Sequence, residues 1–170
     1  GEDLTSGGSN TFLGELAGSS TTTGIMNTAI GNGTLATNVA GDNNVAVGFQ
    51  ALYTMNPSGN ADTNNIAVGL QAGYYIETGV NNILMGTVAG SNLTTGSKNL
   101  LIGGGIQAAA VDMDEANALG YAVAPTEGYT TIGISGADIR AAHGVATWAA
   151  VSDERYKKNI TDSTAGLSFI

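Results

Sequence analysis

The sequence predicts an all-β fold: an elongated parallel β-roll or β-helix of six 17-residue turns, assembled as an obligate homotrimer. Three observations predict it: a repeated signature, a strand-like run inside it, and too little polar surface to wet both faces of that run. The signature reads Asn44-Val45-Ala46-Val47-Gly48. Asparagine recurs at Asn10, Asn27, Asn44, Asn65, Asn82 and Asn99, and four residues after each stands a glycine: Gly14, Gly31, Gly48, Gly69, Gly86 and Gly103. These glycines are spaced 17, 17, 21, 17 and 17 residues apart. A fixed period of this kind means stacked units, and the one longer interval is a four-residue insertion within residues 53–63 that bulges from one turn.

Inside each unit, Val45-Ala46-Val47, Ile66-Ala67-Val68, Ile83-Leu84-Met85 and Leu100-Leu101-Ile102 are β-branched or bulky runs of strand length. A further glycine lies seven residues before the signature glycine, at Gly7, Gly24, Gly41, Gly79 and Gly96, and marks a corner. Three residues after the signature glycine, alanine recurs at Ala17, Ala51, Ala72 and Ala89, with Thr34 as the exception. Alternate strand residues face opposite ways, so Val45 and Val47 share one face and Ala46 the other. Both faces are apolar, and the second (Phe12, Ala29, Ala46, Ala67, Leu84, Leu101) is expected to be covered by identical chains around an axis. The strand residues expected in the oligomer core are Val45, Ala46, Val47, Ile66, Val68, Ile83, Met85, Leu100 and Ile102. The six signature asparagines are expected to stack as a hydrogen-bonded ladder at about 4.8 Å per turn.

Four segments follow from this reading: a shaft over 1–105, an irregular or short helical insertion over 106–128, shaft-closing strands over 129–151, and a distinct segment over 152–170. The alanine-rich run from Ile106 to Gly120 breaks the signature, and its Asp112, Asp114 and Glu115 read as a solvated acidic turn in preference to a calcium site, because loop glycine and later glutamate are missing. Tyr129-Thr130-Thr131-Ile132-Gly133 reads as a seventh, degenerate signature, with strands at Asp138–Ala141 and Ala146–Trp148 closing the shaft. His143, the single histidine, reads as a surface or turn residue, and Trp148 as packing at the shaft's end. The polar runs Ser19–Thr23 and Asn92–Thr95 read as outer surface and turns.

Composition narrows the function classes. The chain has 26 glycines in 170 residues, 11% charged residues and a net charge of −9, and no basic residue precedes Lys98. Nucleic acid and anionic membrane are therefore poor partners for the shaft. Cysteine is absent, so no disulfide or thiolate site contributes, and no run of about 18 apolar residues suggests membrane insertion. No cofactor or metal is expected.

Three of the five basic residues fall in Ser152-Asp153-Glu154-Arg155-Tyr156-Lys157-Lys158-Asn159-Ile160. One reading is a charged helix start with Ser152 as N-cap; another is chemical, since a lysine flanked by positive charge can serve as the base that activates a serine. The stretch resembles the start of the endosialidase-type intramolecular chaperone domain of bacteriophage tail fibres and tailspikes. That family's motif is serine, aspartate, any residue, arginine, any residue, lysine, matched by Ser152, Asp153, Arg155 and Lys157; Asn159-Ile160 and Gly166–Ile170 resemble its continuation. The resemblance implies a trimeric β-helical fibre and a self-cleavage between Val151 and Ser152, with Ser152 as nucleophile, Lys157 as base and Asp153 required. It also implies that 152–170 is a truncated start of that domain. The Asn-x-Ala-(Ile/Val)-Gly units are similar to head repeats of trimeric autotransporter adhesins, whose turn is shorter.

The function expected is a structural and adhesive segment of a phage tail fibre, in the virion and extracellular. Its expected partners are two identical chains, a host cell-surface receptor such as a glycan, and other virion tail proteins. The rival readings are a trimeric bacterial adhesin, a polysaccharide-depolymerising tailspike acting through Asp112 with Asp114 or Glu115, and a surface filament assembled end to end.

Overall fold

A three-residue strand has too few hydrogen bonds to hold alone, so each signature must pair with its copy in the next turn. The structure, a computed structural model, describes residues 3–145 and 149–151. Its strands are β1 (Thr11–Leu13), β2 (Thr28–Ile30), β3 (Gly41–Asp42), β4 (Val45–Val47), β5 (Ala61–Asp62), β6 (Ile66–Val68), β7 (Ile83–Met85), β8 (Leu100–Ile102), β9 (Asn117–Tyr121), β10 (Tyr129–Ile134), β11 (Ala137–Ala142) and β12 (Ala149–Val151). From β1 to β10 the signature strands form one parallel sheet in the order β1-β2-β4-β6-β7-β8-β9-β10. The register follows the repeat, with Ala46 opposite Ala29 on one side and Ala67 on the other. The result is a β-solenoid of about seven turns, with no helix among the described residues.

Each turn runs out along its strand and back through a chain of tight turns, whose amides also bond the following turn. Leu52 N donates to Ala72 O at 3.0 Å and Thr54 N to Tyr74 O at 3.1 Å. At the next corner three successive amides, of Thr22, Thr23 and Gly24, converge on Val39 O at 3.0, 3.1 and 3.3 Å. Backbone donors are thereby satisfied between turns in segments that are not strands.

The core lies between the strand side and the turn side. Ala29, Ala46, Ala67, Leu84 and Leu101 point into it from the strands, and Leu35, Leu52, Met55, Ile76 and Leu93 meet them from the turns, all fully buried. Sizes are complementary across the gap. Leu35 and Leu52 follow the strand alanines Ala29 and Ala46, whereas Gly18, at the same place in its turn, faces Phe12, whose ring atoms would lie 2.5–2.7 Å from an added Cβ.

This interior corrects one expectation. The Ala46 face is covered by its own chain's turns, so Ala46, expected in the oligomer core, lies in the interior of a single chain at 0% exposure. The face left open is the other one, carrying Val45 and Val47. The polar run Ser19–Thr23 is likewise not wholly surface: Thr21 occupies the interior position that Met55, Ile76 and Leu93 fill in later turns, and its buried hydroxyl has no hydrogen-bond partner.

The insertion is absorbed without breaking the sheet, because β4 pairs directly with β6 and the extra residues add the short parallel pair β3–β5. Residues 106–128 are not an excursion or a helix. Strand β9 pairs in parallel with β8, Ala118 opposite Leu101, so the 17-residue period continues to Gly120. Tyr129–Gly133 does enter the sheet in signature register, Gly133 opposite Gly120, but after a 13-residue step and as the eighth parallel strand. The antiparallel strands β11 and β12 then close the sheet; β11 contains the expected strand Asp138–Ala141, and 146–148, with Trp148, lies outside the described residues.

Candidate assembly interface

The signature asparagines form a row inside the corner that precedes each strand. Asn27 N donates to Asn10 Oδ1 at 2.9 Å, Asn44 N to Asn27 Oδ1 at 3.0 Å, and Asn65 N to Asn44 Oδ1 at 3.1 Å. Asn82 N donates to Asn65 Oδ1 and Asn99 N to Asn82 Oδ1, each at 3.0 Å. The amide nitrogens are also engaged: Asn82 Nδ2 donates to Asn65 Oδ1 at 3.1 Å and Gly96 O at 2.9 Å. Asn44 instead meets Thr63 of the insertion turn, its Nδ2 donating to the hydroxyl at 2.7 Å. From Asn27 onward these side chains are buried with bonds made in both directions. They fix strand register and leave no group free for chemistry.

With that corner locked, the strand's outward residues are set. Val45 and Val47, Ile66 and Val68, Ile83 and Met85, and Leu100 and Ile102 stand side by side on the outer face, all half-buried or exposed in the single chain. The stripe is wider and longer than the sequence suggested. Leu13, Ile30, Leu119 and Ile134 continue it along the shaft, and Phe49 and Leu70, each 46% exposed, widen it just past the signature glycines. Eight strands at about 4.8 Å spacing make it roughly 34 Å long. Between β8 and β10 it dips into an apolar groove of about 140 Å³, lined by Leu100, Ile102, Leu119 and Ile132 among others.

Polar residues interrupt the stripe at both ends: Thr11 and Thr28 stand in register with Val45 at its start, and a small cluster lies near its finish. Asn117 Nδ2 lies 3.2 Å from Thr130 Oγ1, and both lie 3.3 Å from Nε2 of the exposed His143. Asp114 and Glu115 bond the turn before them. Asp114 Oδ1 accepts from Ser97 N at 2.6 Å, as Asp42 Oδ1, at the equivalent position of an earlier turn, accepts from Ile25 N at 2.7 Å. Glu115 pairs with Lys98 at 2.8 Å, which raises the lysine pKa and lowers that of the glutamate through the shared hydrogen bond. No group of three metal-ligating side chains occurs among the described residues. Ser152, Asp153 and Lys157 lie outside the described residues.

Sequence reasoning missed the cluster Tyr53, Tyr74 and Tyr75, which the turn side brings together: Tyr53 and Tyr74 stack with centroids 5.1 Å apart. The signal was present in the 21-residue spacing of Tyr53 and Tyr74, equal to that of Gly48 and Gly69. Comparison with protein-family models, curated proteins and solved structures finds no match to this chain.

Proposed function

We propose that the chain is a shaft segment of a homotrimeric attachment fibre, structural and adhesive in role, of the kind that phage tail fibres supply. The observation that carries this reading is the uncharged apolar stripe along the strand side. A continuous apolar face of this length is costly to leave in water, and elsewhere the exposed apolar side chains, such as Leu16, Met26, Val39 and Val111, are scattered. Three copies placing their stripes toward a common axis cover it with no free edge, since cyclic symmetry closes. Two neighbouring stripes meet at each contact, and Phe49 and Leu70 seal the rim.

The stack suits a shaft mechanically. Turns bond their neighbours through backbone and core, and through the asparagine row as far as Ala116, so tension along the axis is shared among them. Such a rod presents its outer side many times over in a virion, and weak contacts to a host receptor add through avidity. No turnover chemistry is proposed for it. The self-cleavage before Ser152 is the one chemical act, proposed from the resemblance of 152–170, with Ser152 attacking, Lys157 taking its proton and Asp153 required. In the full-length protein Ser152→Ala is expected to leave the downstream domain attached, read as one uncut band and one intact mass. Normal cutting in that variant would remove Ser152 from the role.

A further inference from the structure

The turn side of the shaft has two adjacent places in each turn, across the core from the stripe, whose side chains reach the surface in every turn but one, Ala36 being buried. The first is filled by Ser19, Ala36, Tyr53, Tyr74 and Ser91, the second by Ser20, Thr37, Thr54, Tyr75 and Asn92. Small residues therefore satisfy the fold, and the tyrosines of the two middle turns are not demanded by packing. Tyr53 and Tyr74 lie nearly parallel, with 4° between their planes, and Tyr75 stands against Tyr74 at 76° with centroids 4.6 Å apart. Tyr75 is 55% exposed. Tyr53 and Tyr74 thus cover one face of each other, half-buried, and Tyr75 stands steeply against them as the ring most open to solvent. None of their hydroxyls has a hydrogen-bond partner among the described residues. Beside them, Gln71 Nε2 donates to Gln50 Oε1 at 3.0 Å, an uncharged amide pair on the neighbouring corner.

We infer that Tyr53, Tyr74 and Tyr75 form a binding platform for a neutral saccharide on the outer side of the shaft. Pyranose rings present an apolar face of C–H groups that packs on an aromatic ring, and hydroxyls that need partners around it. The exposed Tyr75 ring, braced by the Tyr53–Tyr74 stack, supplies the first, and the phenol and amide groups supply the second. Charge selects among sugars: residues before Lys98 include six acids and no base, so sialylated or otherwise anionic glycans are repelled and neutral ones are not. The inference gives the adhesive half of the proposed function its ligand class. It rests on the shaft's being exposed to a host surface and does not depend on the trimer.

The test uses the full chain on an array of neutral and sialylated glycans, followed by titration with the best neutral oligosaccharide on that array. The variants are Tyr74→Ser and Tyr75→Thr, which install residues that the repeat itself uses at those places, so folding is retained. Binding confined to neutral glycans is expected, with roughly tenfold weaker affinity in each variant. Absence of binding, binding unchanged in both variants, or preference for anionic glycans would each overturn the platform. Sedimentation of the same proteins reports assembly separately, so failure of the platform and failure of the trimer are read apart.

Discussion

Replacing Gly69 by alanine is expected to unfold the middle of the shaft. The signature glycine has φ +137°, in the region that L side chains rarely adopt, and an added Cβ would lie 2.5 Å from Gly86 O in the next turn. The conformational term costs about 1–3 kcal/mol. The clash adds to it, because the obstructing atom is backbone that the inter-turn bonds hold in place: Gly69 N donates to Val47 O and Gly86 N to Val68 O, both at 2.8 Å. Forcing those turns apart breaks sheet pairing on one side, for a total on the order of 3–5 kcal/mol. Gly59 is the control. It also has positive φ, at +85°, but nothing lies within 4 Å of its would-be Cβ. Gly59→Ala is therefore expected to cost only the conformational term. Melting followed by circular dichroism separates them, and equal melting temperatures for the two variants would show that inter-turn approach does not constrain the signature glycine.

The second large effect is on assembly. Val47→Asp and Val68→Asp each place a carboxylate in the middle of the stripe, on β4 and β6. In a trimer three such charges converge near one axis with no basic residue before Lys98 to pair them. Burying an unpaired charge costs on the order of 3–5 kcal/mol, here once per chain. In a single chain the same side chain is half in water, so the solenoid itself is expected to keep its melting behaviour at high dilution. Sedimentation should change from trimer to monomer. An unchanged sedimentation coefficient in both variants would show that the stripe is not the contact.

How much of this was legible in the sequence depends on which level is asked. The strand segments, the stacking and the insertion were readable because Asn and Gly are nearly irreplaceable where they stand. The asparagine must bond backbone in two directions, and the glycine must admit a neighbouring carbonyl. Where those residues give way, legibility stops. The seventh turn was missed because Ala116 takes the asparagine's place and Met113 the corner glycine's, although Ala116 N still donates to Asn99 Oδ1 at 3.0 Å. The facing of the strands was misjudged for a different reason. Both faces are apolar, so alternation separates Val47 from Ala46 without saying which looks inward. Size decides it: alanine fits a narrow interior already filled by Leu52 and Met55 from the turn side. That complement lies in residues whose inward direction is set by tight turns with non-glycine left-handed corners, such as Gln50 at φ 54° and Gln71 at φ 52°. Residue type does not announce such corners, because Leu16 and Val88 adopt the same conformation at the equivalent places of other turns.

The stripe becomes an interface only if the chain assembles, and the mass of the wild-type chain in solution decides that directly. Sedimentation equilibrium at micromolar concentration should give three times the 17.0 kDa of one chain, with no monomer on dilution. A stable species of 17.0 kDa, folded and soluble with its stripe in water, would contradict the trimeric shaft and leave a single-chain solenoid in its place.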